Sequence, residues 1–180
     1  MRNVVAALDF LETINMKQVS IDLDLYIKLN ALLAIDQALE TGHLRNQPVS
    51  IGCIPEDIEV FDKSLIEHEI KRIADITETD FREVIPDAFC RLARMQPFFD
   101  GNKRTTAFLC NVSLLKRGLG LFIINDEKLG RFNALLFEYY TGKNNDILEF
   151  IGNECIISVE QLAKEPSDAE SDDECSSPSP

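Results

Sequence analysis

Apolar residues spaced three and four positions apart recur along this sequence and constrain it to a mainly helical fold. The segment DLDLYIKLNALLAIDQAL has this spacing, which is typical of a core-facing helix, at Leu25, Leu29, Leu32 and Leu33. Five later segments are also predicted to be helical: EDIEVFDKSLIEHEIKRIAD, DFREVIPDAFCRLARM, NKRTTAFLCNVSLLKRG, EKLGRFNALLFEYYTG and NDILEFIGNECI.

One segment, QPVSIGCIP, has the pattern of a strand. Val49 and Ile51 alternate around Ser50, and Pro and Gly turn signals flank them. We therefore predict an all-α helical bundle that carries one short β-hairpin flap.

The C-terminal end has a different composition from the rest of the chain. From Glu165 onward it is rich in Ser, Pro and acidic residues and lacks the apolar side chains that offset the entropy cost of ordering. We predict one folded domain over residues 1–160 and a disordered acidic tail over residues 161–180.

Charge and hydropathy narrow the classes of function. Six acids and no base lie in the last 16 residues, and the rest still carries a net charge of −7. Such an acidic body disfavours nucleic acid as a partner, because phosphate contacts need clustered Lys and Arg. No apolar run approaches the roughly 18 residues of a membrane span, and acids interrupt the N-terminal segment where a signal peptide is apolar. We expect a cytoplasmic protein with no membrane association.

The five cysteines form no C-x-x-C pair, and the chain has only two histidines, so a structural zinc site is not expected. Buried reduced thiols are the favoured interpretation for Cys53, Cys90, Cys110, Cys155 and Cys175.

The polar loop QPFFDGNKR separates two predicted helices. Pro97 disfavours helical geometry at the preceding residue, so one helix should end near Met95. The next should begin near Asn102 and stop at about Gly118. The backbone N–H groups of Gly101 and the residues after it then lie at a helix N-terminus, where an anion is stabilised.

The charges of this loop predict a bound phosphate. Lys103 and Arg104 occupy the first turn of a helix, where cations are otherwise unfavourable. Asp100 could hold Mg²⁺, which prefers oxygen ligands and shares substrate phosphates. The pattern indicates a Mg-nucleotide site. The alternative is an ordinary helix start that Asn102 caps, with solvated charges. The chain lacks G-x-x-x-x-G-K-[ST], so it has no P-loop.

QPFFDGNKR resembles the motif H-P-F-x-[DE]-G-N-[GK]-R of the Fic/Doc (Fido) family at every defined position except the first. The family's next helix is resembled by the segment TTAFLCNVSLLKRGL. The G-x-x-R segment that precedes the family's flap is resembled by TGHLRNQPVSIG, and the last helices of the family are resembled by LFEYYTGKNNDILEFI. The resemblance runs from about residue 20 to 155 and implies a Fic/Doc-type helical fold.

The resemblance also implies a function. Most members transfer AMP from ATP to a hydroxyl of a target protein, whereas the Doc branch transfers phosphate. By position, Asp100 would bind Mg²⁺, the backbone of Gly101, Asn102 and Lys103 would hold the phosphates, and Arg104 would contact the terminal phosphates. Phe98 would be the core aromatic of the loop. The target protein would dock as an added strand on the flap, around residues 47–52.

Three departures from the family pattern qualify this implication. Gln96 replaces the general-base histidine, and an amide has no useful proton-accepting nitrogen. Losing a general base typically costs about 10²- to 10⁴-fold in rate. Ala107 stands where many members have a second Arg, which together with Lys103 resembles the Doc pattern. The self-inhibitory pattern [ST]-x-x-x-E-[GN] is absent.

Several interpretations therefore remain open. The chain is expected to bind Mg-ATP and to be an adenylyltransferase with impaired activity. The alternatives are a Doc-like phosphotransferase, an inactive nucleotide-binding pseudoenzyme that acts through protein–protein interaction, and a pure interaction protein. His43 or His68 could substitute for the missing base, but a surface position is favoured for both.

Overall fold

Helices account for most of the chain in the computed structural model, which describes residues 2–35, 40–52 and 54–164, with side chains from residue 5 onward. The elements are α1 (Arg2–Thr13), α2 (Leu23–Leu33), α3 (Lys63–Ala74), α4 (Phe81–Met95), α5 (Asn102–Arg117), β1 (Gly120–Phe122), α6 (Asp126–Tyr140), α7 (Asp146–Phe150), a π-helix (Ile151–Cys155), β2 (Ile156–Ser158) and α8 (Val159–Leu162). The predicted all-α class is confirmed. Helices α1 and α8 were not among the predicted segments.

Helix α5 lies at the centre of the bundle and packs against α2, α3 and α4. Its sequence allows this because small polar residues, Thr105, Thr106 and Ser113, are fully buried there beside Leu109 and Leu114. The core continues into the neighbouring helices with large, fully buried side chains, among them Tyr26, Leu29, Leu33, Ile85, Phe89 and Leu92. The helix that begins with the predicted loop is therefore held firmly on several sides.

Helix α3 is shorter than the sequence predicted. Its predicted segment began at Glu56, but the helix begins at Lys63, because Asp62 accepts the N–H of Ser64 (2.7 Å) and caps it there. The residues before Asp62 instead form the second arm of the flap. Ile58 pairs with Val49 through two backbone hydrogen bonds of 2.8 and 3.2 Å. A flap therefore forms where it was predicted, and its described residues pair through one antiparallel bridge rather than a continuous ladder.

The two-stranded sheet was not predicted. Within the described ranges, β1 and β2 form the only sheet, antiparallel, with Gly120 opposite Ser158 and Phe122 opposite Ile156. Each strand has three residues, too short for an alternating pattern. The pairing requires a glycine at 120, where φ is 145° and a Cβ atom would lie 2.1 Å from the carbonyl oxygen of Ile157.

The last predicted helix changes character after Phe150 and continues as a π-helix. Pro86, inside α4, lacks the N–H group that would otherwise donate to the carbonyl of Arg82. Gly152 packs closely against this carbonyl, and a Cβ atom there would lie 2.6 Å from the oxygen. The Arg82 guanidinium in turn donates to the carbonyls of Gly152 (2.5 Å) and Ile156 (3.0 Å).

Some predictions fall on residues outside the described ranges. These are the end of the first predicted helix at residues 36–39, the thiol of Cys53, and the part of the predicted tail (residues 161–180) from residue 165 onward, with Cys175. Residues 161 and 162 of that predicted tail belong to α8. Cys90, Cys110 and Cys155 are free and buried, as predicted. Burial raises the pKa of all three thiols, that of Cys155 to about 11. Among the helices described, none has the length and apolar character needed to cross a bilayer.

Candidate functional site

Two left-handed residues shape the loop between α4 and α5. Gln96 ends α4 with φ 48° and ψ 62°, and it is the only non-glycine residue with positive φ among those described. Gly101 has φ 76° and precedes the first residue of α5. Left-handed geometry is uncommon for residues other than glycine, so the loop holds Gln96 in a demanding conformation.

Asn102 fixes the loop from within. Its amide Nδ2 donates to the carbonyl of Phe98 and to Oε1 of Gln96, both at 2.8 Å, while its Oδ1 accepts the N–H of Phe98 at 2.8 Å. The side chain is 4% exposed. Asn102 is therefore not the cap residue that the alternative assumed: Gly101 occupies the N-cap position and makes no side-chain cap hydrogen bond.

Gln96 is tied into this arrangement by both ends of its amide. Its Nε2 donates to the carbonyl of Ala93 at 2.5 Å, and its Oε1 accepts from Asn102. The side chain at the motif's first position thus stabilises the turn at the end of α4.

The predicted site residues line one cavity of about 460 Å³. The loop and α5 contribute Gln96, Asp100, Gly101, Asn102, Lys103, Arg104 and Ala107. The opposite wall, which sequence reasoning missed, consists of Ile124, Leu129, Phe132 and Asn133. The cavity therefore has a polar, charged floor and a largely apolar wall, the composition of many small-molecule sites.

The charged groups suit a phosphorylated ligand. Lys103 is exposed, and its Nζ lies 3.5 Å from Oδ1 of Asn133 across the cavity. Asp100 accepts the N–H of Gly101 through Oδ1 (2.5 Å), which leaves its second carboxylate oxygen for another contact. A helix N-terminus with two cations beside it stabilises an anion.

Asp100 fits a magnesium ion only if the ligand supplies the remaining oxygens. In the described part of the chain, no group of three or more His, Cys, Asp or Glu side chains could hold a metal by itself. Mg²⁺ commonly binds through one or two carboxylates together with substrate phosphates and water. The donor set is therefore compatible with a Mg-nucleotide.

Buried polar side chains support the loop from α2. Asn30, 1% exposed, donates to the carbonyl of Asp100 (2.9 Å) and to Thr105 Oγ1 (3.3 Å), and it accepts the N–H of Gly42 (3.2 Å). A Cβ atom on Gly101 would lie 3.2 Å from that of Ala34, so α2 also presses directly against the loop.

A second series of buried hydrogen bonds supports the start of α5. The Tyr26 hydroxyl lies 2.7 Å from Oγ1 of Thr106. The Thr106 hydroxyl in turn donates to the carbonyl of Asn102 at 2.8 Å. Burial raises the pKa of Tyr26, which remains a neutral hydroxyl. Phe98 is 1% exposed and lies 4.9 Å from the Tyr26 ring, so its predicted role as a core aromatic is confirmed.

The two histidines lie on the surface, as predicted. The His43 side chain is 50% exposed and its Nε2 lies 2.8 Å from Oε2 of Glu40. His68 is exposed on α3. Neither lines the cavity.

The flap is fastened to this loop by Arg45, which was noted above only as part of the G-x-x-R segment. Its guanidinium donates to carbonyls on both arms of the flap and at the end of α4, and its N–H donates to the carbonyl of Pro97 at 2.9 Å.

Solved structures with a similar fold share this architecture. Fic-1 (residues 134–508) from C. elegans has 22% sequence identity and a TM-score of 0.62, with 84% of this chain and 46% of that chain covered. The present chain thus spans about half of that structure. A second similar structure is the N-terminal Fic domain of a putative cell filamentation protein, a VirB-translocated Bep effector from Bartonella quintana. It has 18% sequence identity and a TM-score of 0.62, with 90% of this chain and 82% of that chain covered. BepC from Bartonella tribocorum, solved with bound AMPPNP, has 16% sequence identity and a TM-score of 0.59, with 87% of this chain and 83% of that chain covered.

Comparison with curated proteins gives no match. The Fic/DOC family model matches residues 20–114, which is more than half of the chain and includes α2, α3, α4, most of α5 and the whole QPFFDGNKR loop. Motif, cavity and fold agree with this match, and the chain belongs to the Fic/DOC family.

Proposed function

We propose that this chain binds Mg-ATP and is a protein adenylyltransferase with impaired activity, acting in the cytoplasm on a target docked at the flap. The observation that carries the proposal is the single cavity lined by Asp100, Gly101, Asn102, Lys103 and Arg104. The similar fold of BepC, which was solved with AMPPNP, supports an ATP-like ligand.

Each residue has a distinct role in the proposal. The backbone N–H groups at the start of α5 bind phosphate oxygens, and Lys103 and Arg104 balance the charge. Asp100 holds Mg²⁺ through its carboxylate oxygen. The apolar wall from Ile124 to Phe132 limits access of water. Bound Mg-ATP supplies the electrophilic α-phosphorus, the target hydroxyl attacks it, and pyrophosphate leaves.

At the motif position of the general base, this chain has no side chain that can take the proton of the target hydroxyl. The Gln96 amide has no basic nitrogen, and its polar atoms form hydrogen bonds with the carbonyl of Ala93 on α4 and with Asn102. Water must accept the proton, and we expect a rate about 10²- to 10⁴-fold below that with a positioned base. Phosphate binding does not depend on that base, so nucleotide affinity should be kept.

Phosphate transfer is a second candidate, favoured by one feature of the cavity. Ala107 lines it with a methyl group where many adenylyltransferases of the family have an arginine, and Lys103 matches the Doc branch. Without that arginine the γ-phosphate has one fewer contact, and the motif is closer to the pattern of the Doc branch, whose members transfer phosphate.

Labelled ATP separates the alternatives. The protein is incubated with Mg²⁺ and ATP labelled at the α or γ phosphorus, in a lysate of the source organism. Label from the α position on protein indicates AMP transfer, and label from γ alone indicates phosphate transfer. Binding of Mg-ATP by calorimetry without either label leaves a nucleotide-binding pseudoenzyme. No binding at millimolar nucleotide would refute the nucleotide site and favour a pure interaction protein.

A further inference from the structure

Arg45 is buried without forming a side-chain ion pair to any described residue. It is 4% exposed, and its four side-chain hydrogen bonds all go to backbone carbonyls. Nε donates to Gln96 at 2.5 Å, Nη1 to Gln47 at 2.5 Å, and Nη2 to Glu59 at 2.7 Å and Met95 at 3.2 Å. Burial lowers the pKa of the guanidinium, while the charge of Glu59 opposes this shift.

These carbonyls belong to three separate segments. Gln47 lies on the first arm of the flap, Glu59 on the second, and Met95 and Gln96 at the end of α4. A guanidinium presents five N–H donors in a fixed planar fork, so it can join three segments at defined distances. The C-terminal end of α4 also favours a cation, because its last carbonyls carry the negative end of the helix dipole.

The flap has little stiffness of its own. Among the described residues, its arms are joined by the backbone bridge between Val49 and Ile58 and by a hydrogen bond from Ser50 Oγ to Asp57 Oδ1 (2.5 Å). An isolated two-stranded hairpin is marginal in water. Its position relative to the phosphate loop therefore depends on contacts outside the hairpin, which include the packing of Ile51 and Ile54 against the core and the hydrogen bonds of Arg45.

We propose that Arg45 is the positioning residue that holds the flap in register with the phosphate-binding loop, an inference that rests on the proposed function. A target strand on the flap then presents its hydroxyl at the right distance from the bound nucleotide. Small misplacements are costly in such reactions, since about 1 Å can reduce the rate by 10²-fold.

Hydrogen exchange tests the coupling without any ligand. Arg45→Lys keeps the charge but replaces the fork with one ammonium group. The amides of Val49 and Ile58 should exchange at least about tenfold faster in this variant, because the bridge loses its anchor. Arg82→Lys is the matched control, since Arg82 also donates to two backbone carbonyls, those of Gly152 and Ile156. Unchanged exchange at Val49 and Ile58 in Arg45→Lys would overturn the inference.

Kinetics separate positioning from general support of the fold. In the Gln96→His background, adding Arg45→Lys should lower kcat for protein labelling by about 10²-fold and leave the KM for Mg-ATP within about twofold. Equal losses in nucleotide affinity and kcat would show that Arg45 only supports the loop. If wild type and Gln96→His both fail to bind Mg-ATP, the proposed function fails, and the exchange experiment still decides whether Arg45 couples the flap to the loop.

If the Arg45→Lys variant folds poorly, a measurement on the wild type tests the same coupling. The Nε–H of Arg45, buried and bonded to Gln96, should give an NMR signal protected from solvent exchange. A rapidly exchanging signal would contradict the coupling.

Discussion

Gln96 occupies a backbone conformation that suits histidine better than glutamine. At φ 48° and ψ 62° it lies in the left-handed region, where His, Asn and Asp are enriched among residues other than glycine. The hydrogen bonds to Ala93 and from Asn102 help to hold it there. The backbone at this position therefore suits a histidine, although the glutamine side chain does not titrate.

Replacing Gln96 with His should restore a general base within the loop. Labelling of the target, or of the protein itself, should rise by about 10²- to 10⁴-fold, as measured with labelled ATP. Gln96→Asn is the control, because Asn also tolerates left-handed geometry but cannot accept the proton.

The other outcomes are equally informative. No rise while Mg-ATP still binds would indicate that further positions, Ala107 among them, have diverged and that the pseudoenzyme interpretation holds. An equal rise in Gln96→Asn would rule out base catalysis as the cause. A loss of existing activity would show that Gln96 takes part in a different reaction.

Asp100 should make nucleotide binding depend on Mg²⁺. Asp100→Asn keeps an oxygen that can accept the N–H of Gly101 and removes the charge that attracts the metal. Calorimetry should show that Mg²⁺ strengthens ATP binding to the wild type but not to this variant. Asp146→Asn, on α7 and outside the cavity, should behave as the wild type. A Mg²⁺ effect that persists in Asp100→Asn would place the metal elsewhere.

Among the secondary-structure elements, the β1–β2 pair depends most on one residue. A Cβ atom at Gly120 would lie 2.1 Å from the Ile157 carbonyl oxygen and 2.9 Å from Ser158 Cα, both rigid backbone atoms. Gly120→Ala should therefore lower the free energy of unfolding by about 2–3 kcal/mol, measured by chemical denaturation.

Gly130→Ala is the matched comparison and should act in the opposite direction. Gly130 lies inside α6, and a Cβ atom there meets nothing within 4 Å. The substitution should raise the free energy of unfolding by about 0.5–1 kcal/mol, because alanine loses less backbone entropy in a helix. Similar effects from both substitutions would contradict the steric account of Gly120.

The local signals in the sequence were sufficient for α4 and α5 but not for every element. Pro97 and Gly118 mark boundaries that the structure shows at Met95 and Arg117. In contrast, α3 begins later than its apolar spacing suggested, because Ile58 pairs across the flap rather than continuing the helix. That pairing is a tertiary contact, which periodicity alone does not report.

The same distinction applies to the candidate site. The charged half lies in one contiguous motif and was predicted, whereas the wall formed by Leu129, Phe132 and Asn133 reaches the cavity only through the packing of α6. In the sequence these residues look like any amphipathic helix. Arg45 was visible as a residue of the G-x-x-R segment, but its four carbonyl partners are distributed over three segments and could not be read from spacing.

The whole chain should be stabilised by its ligand. A ligand that binds only the folded state adds about 2.7 kcal/mol at a concentration 100-fold above Kd, which corresponds to about 5–10 °C in Tm for a chain of this size. Differential scanning fluorimetry with Mg-ATP should show this shift, and Arg104→Ala should reduce it. Absence of a shift at millimolar Mg-ATP would contradict the nucleotide site.

The left-handed backbone at Gln96 affects how many mutations separate the glutamine form of this protein from a histidine form. Because the backbone already has a geometry that histidine adopts readily, no other part of the loop needs to be rebuilt to accept it. Glutamine and histidine codons differ only in their last base. If the histidine variant is active, a single point mutation separates the restrained and the competent forms of the gene, and selection against an active transferase is sufficient to maintain glutamine at this position.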